Sequence, residues 1–524
     1  MFSEMLEINN INGVNFGTAS NVYQLYNTTN DSDVFELVID GLILEKYADE
    51  DVKEYIKHLP SNKKRVATLV PLGEDNLLWS KINDIIKEEK SSYERLKSVY
   101  TLLKDYVKIA DVERKKHGEI LTPFKELAEP MVKLVEKYDR EFWKNKNHKV
   151  LDSSAGYGTF LILSAYKFMV GLKDEFPDEE ERFKWIVENC LYYGELQAKS
   201  VFSWLVAIDP HNEYKTNIYW GSFLTKDFDD HMNNVWKVES FDLIIQNPPY
   251  QELKETIKNK NSKNPKTQPL WHLFVQKSLN ILKEGSYMIM VHPGGWRDLS
   301  GVFKETQNKL KSKNILELHM FPFKSGLEIF KAKTNFDYYI LKNEKNSECI
   351  TEIYCENKTI EKLNLLDLDY IPGENINSIK RIFYTNEDEK VNFLHSYSAY
   401  EPRKEFVSKL KNNFNLYPCV YMVSYKNIPT FLYSSRNDRG HFGQPKVIWA
   451  SGSSGVIIDY KGDYGLTPFS AGIVDDVENL DNIKKALESE KFIKEVMLFK
   501  NGLGHKYNNK VISMLKKDFW KEFI

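Results

Sequence analysis

The sequence has little of several features that would mark a secreted, membrane or wholly basic protein. Its four cysteines, at positions 190, 349, 355 and 419, show neither metal-ligand spacing nor a disulfide framework, which favours a reducing compartment. No run approaches about 18 apolar residues, and the N-terminus has no basic-then-apolar leader. We therefore expect a soluble, cytoplasmic protein. The net charge of -3 is no sign of a wholly basic protein, so a nucleic-acid partner would need locally concentrated cations.

The length and the apolar patterning indicate several domains. At 524 residues the chain exceeds the usual domain size of about 100–200 residues, and 42% hydrophobic residues provide ample core material. Short apolar runs alternate with helical segments, which is typical of an α/β fold with a mostly parallel sheet. We predict an N-terminal accessory region (1–112), an α/β domain (113–343) and a mixed α+β C-terminal domain (344–524). The predicted strands of the α/β domain are 149–151, 191–193, 241–245, 287–291 and 336–341.

The most informative motif follows closely on the predicted strand 241–245. Asn247, Pro248, Pro249 and Tyr250 form a corner that is stiff, because each proline restricts the residue before it. The asparagine offers a donor and an acceptor, and the tyrosine offers a flat ring. These groups are suited to binding a planar nucleobase that has been flipped out of a duplex. An ordinary strand end that prolines stop would give the same four residues, so the neighbouring motifs have to decide.

A glycine-rich turn follows the predicted strand 149–151. Residues 152–158 read Asp-Ser-Ser-Ala-Gly-Tyr-Gly and precede a predicted helix with an apolar face. Gly156 and Gly158 allow the backbone to pass close to a ligand, and the helix N-terminus supplies free N–H groups. The turn lacks the third glycine of the dinucleotide-binding pattern G-x-G-x-x-G, which speaks against a dinucleotide enzyme.

Two more segments carry candidate binding groups. Glu195 ends the predicted strand 191–193, and an acid at the end of the second strand of a doubly wound fold accepts hydrogen bonds from ribose hydroxyls. A surface glutamate is the alternative. Upstream, Thr122 and Pro123 precede an amphipathic run, which predicts a capped helix start with proline in its first turn.

In combination and order, these motifs resemble the amino-group DNA methyltransferases, in which Asn-Pro-Pro-Tyr usually marks adenine-N6 enzymes. The order along the chain is similar to that of the gamma-type enzymes, with a recognition domain at the C-terminus. The resemblance is specific for residues 113–343 and looser elsewhere. It implies a class I methyltransferase fold (Rossmann-like), S-adenosyl-L-methionine as cofactor, no metal, double-stranded DNA as substrate, base flipping and direct methyl transfer. A cognate restriction endonuclease is a further candidate partner.

The resemblance also assigns roles to individual residues. Catalysis falls to Asn247, Pro248, Pro249 and Tyr250, where the asparagine side-chain oxygen and the Pro248 carbonyl accept the two hydrogens of the adenine amine. Tyr250 and Phe330 are the candidates for stacking on the target base. The candidates for cofactor binding are Thr122, Pro123, Asp152, Ala155, Gly156, Gly158, Glu195, Ser222 and Asn247.

Two of these assignments have alternatives. Ser222 stands where the family often has an acid that reads the adenine of the cofactor, and a hydroxyl accepts a hydrogen bond more weakly than a carboxylate does. Asp227 and Asp229 are the alternatives. Phe336 is the alternative to Phe330, and it is equally well explained as part of the core in the following strand.

Candidate DNA-binding residues lie in two regions. A loop after Tyr250 carries Lys258, Lys260 and Lys263 among small polar residues, which is typical of a segment that contacts phosphates. In the C-terminal domain cations alternate with aromatic residues, and such side chains on loops read base edges or hold phosphates. A merely solvated surface is the alternative in both regions. The C-terminal candidates are Lys426, Arg436 and Arg439.

Two other functions fit parts of the sequence. A fused restriction-modification enzyme would need an N-terminal nuclease, for which only the Glu-x-Lys spacings at 88–90 and 113–115 are candidates, both in charged helical stretches. A DNA-binding regulator with a dead site is the non-enzyme alternative, and the intact corner and glycine turn argue against it. Enzymes acting on RNA or protein amides use related corners, but the long C-terminal region favours duplex DNA.

Overall fold

A computed structural model of the chain contains two compact units. One runs up to Asp367 and the other consists mainly of Leu368–Ile524. The first unit therefore continues beyond the predicted boundary at residue 343. The described residues are 91–106, 122–196, 214–253, 267–298, 301–330, 334–384, 386–450, 455–496 and 507–524, together with three short strands before residue 70 and positions 200, 201, 204, 208, 209 and 332.

Near the N-terminus, three short strands form an antiparallel sheet. Strand β1 (Phe35–Val38) pairs with both β2 (Ile43–Leu44) and β3 (Val66–Leu69). The described helices of the first unit follow: α1 (Ser92–Tyr106), α2 (Glu129–Tyr138), α3 (Thr159–Gly171), α4 (Glu179–Asn189), α5 (Lys226–His231), α6 (Trp271–Ile281), α7 (Lys304–Lys311) and α8 (Phe323–Phe330).

The first unit is built around a large sheet. Within the described residues this sheet has nine strands, and β8 and β9 form a separate two-stranded ribbon. The strands in chain order are β4 (Val150–Asp152), β5 (Leu191–Glu195), β6 (Asn217–Trp220), β7 (Phe241–Gln246), β8 (Gln251–Leu253), β9 (Thr267–Pro269), β10 (Leu282–Pro293), β11 (Lys313–Phe321), β12 (Phe336–Lys345), β13 (Thr351–Tyr354) and β14 (Ile360–Leu363).

The order of strands across the large sheet is β14-β13-β11-β12-β10-β7-β4-β5-β6. From β10 to β6 all neighbours run parallel, whereas β12 is antiparallel to both β10 and β11. The prediction of a mostly parallel sheet is therefore confirmed. The chain order reverses at β4, which has β5 on one side and β7 on the other, so the loops after these three strands meet at one edge of the sheet.

Burial explains why the central strands and one helix are apolar throughout. Every residue of β7 is buried, which is typical of parallel strands that are covered on both faces. Helix α3 buries most of its length, including Phe160, Leu161 and Phe168, and it contributes to the same core as β4, β5 and β10. A helix that is apolar nearly all round belongs inside a protein.

The sequence misplaces the end of α6. A glycine following an apolar run predicts a helix stop at Gly285, but α6 ends at Ile281 and the backbone is already extended at Leu282. Gly285 lies inside β10 with a φ of 76°, where the register against β7 shifts between Leu282 and Tyr287. The glycine therefore serves an irregularity of the strand, because a positive φ costs it least.

The second unit is mixed α+β, as predicted. Its described strands form two four-stranded sheets, in the orders β15-β22-β19-β20 and β16-β18-β17-β21. The strands are β15 (Asn392–Leu394), β16 (Val407–Ser408), β17 (Tyr417–Val423), β18 (Pro429–Ser434), β19 (Lys446–Ala450), β20 (Val456–Asp459), β21 (Gly465–Leu466) and β22 (Ser470–Val474). The helices are α9 (Ile376–Lys380), α10 (Val477–Glu488), α11 (Glu490–Glu495) and α12 (Asn509–Ile512).

No helix in the described parts of either unit is long and apolar enough to cross a membrane.

Several conspicuous side chains of the second unit are structural. Trp449 is 1% exposed, and its indole N–H donates to Asn509 Oδ1 at 2.9 Å. Lys446 is fully buried and forms an ion pair with Asp459 at 2.8 Å. Burial lowers the pKa of this lysine, and the carboxylate beside it opposes that shift. Unpaired, either charge would be costly to bury, so removing one partner should destabilise the unit.

Candidate active site

The glycine turn after β4 has the conformation that only glycine adopts easily. Gly156 has a φ of 53° and Gly158 has a φ of 80°, and the latter caps the N-terminus of α3. The two positions differ in their surroundings. A Cβ at Gly158 would lie 2.1 Å from the indole of Trp204, whereas a Cβ at Gly156 would meet no atom within 4 Å. The turn is thus packed tightly on one side and open beside Gly156.

An aromatic pair, Tyr193 and Trp204, packs against the turn. The Tyr193 hydroxyl donates to the Gly156 carbonyl at 2.6 Å, and the Tyr193 ring stacks on Trp204 with 5.1 Å between centroids and an angle of 9°. Sequence reasoning missed both residues. The position of Tyr193, two residues before Glu195 at the end of β5, is a signal that could have identified it, whereas nothing in the pattern marks Trp204.

Two carboxylates shape the same turn. Asp152 is 1% exposed, and its Oδ1 accepts the Ser154 N–H at 3.1 Å. Burial raises the pKa of Asp152 well above its usual range, and the negative charge of Glu195 adds to this shift. Glu195 is only partly buried; its Oε2 accepts the Gly156 N–H at 2.8 Å and its Oε1 the Leu196 N–H at 2.7 Å. The described contacts of both acids thus order the backbone around the turn.

The corner after β7 joins the other two predicted segments. Asn247 Nδ2 donates to Thr122 Oγ1 at 3.1 Å, and the Asn247 carbonyl accepts the Ser154 hydroxyl at 3.2 Å. Below them, Ser153 Oγ donates to Gln246 Oε1, and Gln246 Nε2 donates to Ser278 Oγ at 2.7 Å. The upstream segment, the glycine turn and the corner therefore meet at one asparagine.

The start of the upstream helix differs from its prediction. Residues Phe124–Ala128 form a π-helix that continues into α2, its N-cap is Pro123, and no side chain caps it. The prediction of a Thr122 cap is therefore wrong. The Thr122 hydroxyl instead accepts a hydrogen bond from the Asn247 amide, and Pro123 at the N-cap has an extended backbone with a φ of -62° and a ψ of 132°.

The two predicted stacking residues contact each other. Tyr250 is 6% exposed, and its ring meets the edge of Phe330 with 6.1 Å between centroids and an angle of 86°. Burial raises the pKa of the Tyr250 phenol, whose oxygen has no hydrogen-bond partner among the described residues. Phe336, the alternative, is fully buried at the start of β12, stacks on Phe321 at 4.5 Å and lies 4.8 Å from Phe330. Phe330 and Phe336 belong to the same core cluster, so burial does not separate the two candidates.

The chain leaves the corner through a β-ribbon. Strands β8 and β9 pair in antiparallel fashion, and the Leu270 N–H donates to the Tyr250 carbonyl at 3.1 Å, which closes the base of the ribbon. The lysine loop between the two strands, with Lys258, Lys260 and Lys263, lies outside the described residues. The same holds for the acids and lysines at 88–90 and 113–115.

The candidates for contact with the adenine of the cofactor lie in the turn and helix after β6. Ser222 is partly buried, and its carbonyl accepts the N–H and the hydroxyl of Thr225. Asp227 is exposed on α5, and Asp229 forms an ion pair with Lys277 at 2.7 Å. Because this ion pair already engages the Asp229 carboxylate, Asp229 is less suited than Asp227 as the alternative to Ser222.

The C-terminal candidates lie at the two ends of one hairpin. Lys426 lies in the turn that joins β17 to β18, where Asn427 has a φ of 59°, whereas Arg436 and Arg439 follow the far end of β18. The seven residues of β17 span roughly 20 Å at about 3.3 Å per residue. Both arginines share the exposed carboxylate of Asp438. The structure thus separates candidates that are near neighbours in sequence.

The strand order, the antiparallel β12 and a cofactor-type turn at the switch point define a class I methyltransferase fold. Residues 175–330 match the family of Eco57I restriction-modification methylases. The matched segment contains Glu195 and the whole Asn-Pro-Pro-Tyr corner and begins after the glycine turn. It confirms the resemblance to DNA methyltransferases that the motifs indicated, and the matching family is one of restriction-modification methylases. No match was found among the curated proteins.

Solved structures of similar fold include several restriction-modification proteins. A modification subunit of a putative type I restriction enzyme from Vibrio vulnificus YJ016 is 15% identical, with 69% of this chain and 68% of that chain covered and a TM-score of 0.39. The Type ISP enzyme LlaGI, as a nuclease-deletion mutant with a DNA substrate mimic, is 13% identical over 99% of this chain and 55% of that chain, with a TM-score of 0.49. The Type IIL enzyme MmeI in complex with DNA is 12% identical over 95% and 79%, with a TM-score of 0.46.

Proposed function

We propose that the chain is a site-specific DNA methyltransferase that transfers a methyl group from S-adenosyl-L-methionine to the N6 amino group of adenine. One observation carries the proposal: Asn247 lies at the carboxyl end of β7, where it contacts both Thr122 and Ser154. The residue that would bind the target amine is thereby held against both segments that would bind the cofactor: its side chain contacts Thr122 and its backbone carbonyl contacts Ser154.

The residues around the glycine turn suit this cofactor. The space beside Gly156 is open, the N-terminus of α3 is adjacent, and the partly exposed Glu195 carboxylate can exchange its bond to the Gly156 N–H for ribose hydroxyls. Asp152 is buried and would act by shaping the turn. When bound, the cofactor supplies an electrophilic methyl group on a sulfonium sulfur.

The corner would raise the reactivity of the target amine. The N6 lone pair of adenine is delocalised into the ring, so the amine is a poor nucleophile. Since Thr122 takes the amide nitrogen of Asn247, the Oδ1 end is the acceptor, and with the Pro248 carbonyl it would accept the two amine hydrogens. Held in this way, the amine nitrogen would accept the methyl group that the cofactor supplies, and the amine would then lose one proton to solvent. Positioning and electrostatics supply most of the rate gain.

The aromatic residues would hold the flipped adenine. A base inside a duplex cannot reach the corner, so it has to leave the stack and find another planar surface. Tyr250 would stack on the base, and the nearly perpendicular packing of Phe330 against it would restrain the plane of its ring. Stacking on one aromatic ring is worth about 1–3 kcal/mol per base.

Sequencing of modified bases tests this function directly. DNA from cells that express the chain should carry N6-methyladenine at one recurrent sequence, and DNA from cells that express Asn247→Ala should not. The matched control is Asn357→Ala, which removes an exposed amide from the turn between β13 and β14. Methylated cytosine, or no modification with folded protein present, would contradict the proposal.

A further inference from the structure

The second unit exposes two large apolar side chains on one short loop. Residues 409–416 connect β16 to β17, and within them Leu410 is 76% exposed and Phe414 is 81% exposed. Single exposed apolar residues need no explanation, but two that share one loop mark an interaction site. Leu416, at the end of the loop, adds a third side chain at 50% exposure.

The loop is held in place by its own hydrogen bonds. Asn412 Oδ1 accepts the N–H groups of Phe414 at 2.9 Å and Asn415 at 2.8 Å. Asn415 Nδ2 donates to the Tyr433 carbonyl at 3.2 Å, which ties the loop to β18. The apolar side chains are therefore presented on an ordered loop, and the conformational entropy that binding would otherwise cost has already been lost in folding.

The charge around the two side chains indicates the occupant. Lys409 and Lys411 flank Leu410 and are exposed, and the loop of residues 409–416 contains no acid. Before the loop, Lys404 and Glu405 are neighbours of opposite charge, and Arg403 is paired with Glu401. Lysine is depleted from the cores of protein–protein interfaces, and two copies of so cationic a loop would repel each other. Apolar side chains between cations are instead how proteins insert wedges between base steps while phosphates meet the positive charge.

We propose that this loop is a DNA wedge: Leu410 and Phe414 enter the duplex and separate stacked bases, and Lys409 and Lys411 contact the flanking phosphates. The choice of duplex DNA rests on the proposed function. The wedge assigns DNA contact to the end of the second unit where Arg436 and Arg439 lie. The turn around Lys426 also exposes two apolar side chains, Tyr425 and Ile428, so variants at the two ends have to be compared.

Binding of the full chain to duplex DNA tests the wedge. Phe414→Ala should weaken binding roughly 10-fold, the size of a lost base-stacking contact, and should leave the dependence of affinity on salt unchanged. The double variant Lys409→Gln with Lys411→Gln should lower the slope of log affinity against log salt by about two. Tyr397→Ala is the matched control, because this ring is also 81% exposed but stands between two serines. Its affinity should stay within two-fold of the parent.

A duplex with 2-aminopurine at successive positions reports unstacking. The parent protein should raise the fluorescence at one or two adjacent positions besides the methylated one, and Phe414→Ala should abolish that extra signal. Normal affinity and an unchanged signal in Phe414→Ala would overturn the wedge, and so would a dimer in sedimentation that this variant dissociates. Failure of the proposed function is seen separately, since it leaves genomic adenine unmodified in cells that express the parent protein.

Discussion

The two units place the ends of their strands differently, and this decides which sequence motifs meet. In the first unit, parallel strands β4, β5 and β7 direct their carboxyl ends to one edge, so the turn, the acid and the corner converge although about 100 residues separate Asp152 from Asn247. In the second unit, antiparallel β17 and β18 place Lys426 and Arg436 roughly 20 Å apart although ten residues separate them. Spacing along the chain therefore predicts proximity only when the topology is known.

The largest expected effect on methylation is at Asn247, where the three segments meet. Asn247→Ala should reduce methylation by at least about 10²–10³-fold, because it removes the acceptor that acts on the reacting amine. Cofactor affinity, measured by calorimetry, should stay within a few-fold. Near-normal turnover would mean that the corner is only structural and that the meeting of the three segments at Asn247 does not contribute to catalysis.

Two alanine variants in the glycine turn distinguish the effect of backbone strain from that of steric contact. Gly158→Ala places a Cβ 2.1 Å from Trp204 and also forces a positive φ, so it should weaken cofactor binding strongly and lower the melting temperature. Gly156→Ala adds only the cost of the left-handed backbone, about 1–2 kcal/mol. Calorimetry on both variants checks this order. Equal effects would show that the close contact with Trp204 does not matter.

The bond between Thr122 and Asn247 tests whether the upstream segment positions the catalytic amide. Thr122→Val removes this bond while keeping the shape of the side chain, and a net hydrogen bond is worth about 1 kcal/mol, so kcat should fall about five-fold. Thr122→Ser keeps a hydroxyl and should restore most of the rate. A rise in KM for the cofactor with unchanged kcat would assign Thr122 to the cofactor alone.

The Tyr193 hydroxyl should have a smaller, similar effect on the turn. Tyr193→Phe removes its bond to the Gly156 carbonyl, which acts on the cofactor only through the turn, so the dissociation constant of the cofactor should rise about two- to three-fold. Tyr192→Phe is the matched control, since successive side chains of β5 point to opposite faces. If both variants bind alike, the aromatic pair only fills space.

The smallest effects concern the hairpin of the second unit. Arg436→Ala should lower the salt slope of DNA binding by no more than about one, because Asp438 already neutralises part of its charge. Lys426→Ala, at the opposite end, should leave the slope unchanged. Reversed results would move the DNA contact to the turn and contradict the wedge.

Much of the first unit could be predicted, because local patterns and topology agree there. All five predicted strands are present, and Glu195, Gly156 and Asn247 lie where parallel strands end. The cap at Thr122 and the helix stop at Gly285 were wrong for one reason: a local signal has several uses, and tertiary contacts choose among them. Trp204 had no signal at all, since its contact with Gly158 depends on packing across the fold.

The sequence by itself determined the class of fold and the chemical groups of the candidate site, because strand periodicity, prolines and glycines act through the local backbone. Only the tertiary structure decided which of those groups touch. It placed Asn247 between Thr122 and Ser154, paired Tyr250 with Phe330, and packed Phe336 against Phe330 and Phe321. The physical reason is that contacts between distant residues depend on the order of the strands across the sheet. Alternating strands and helices indicate that the strands run parallel, but they leave no local trace of that order.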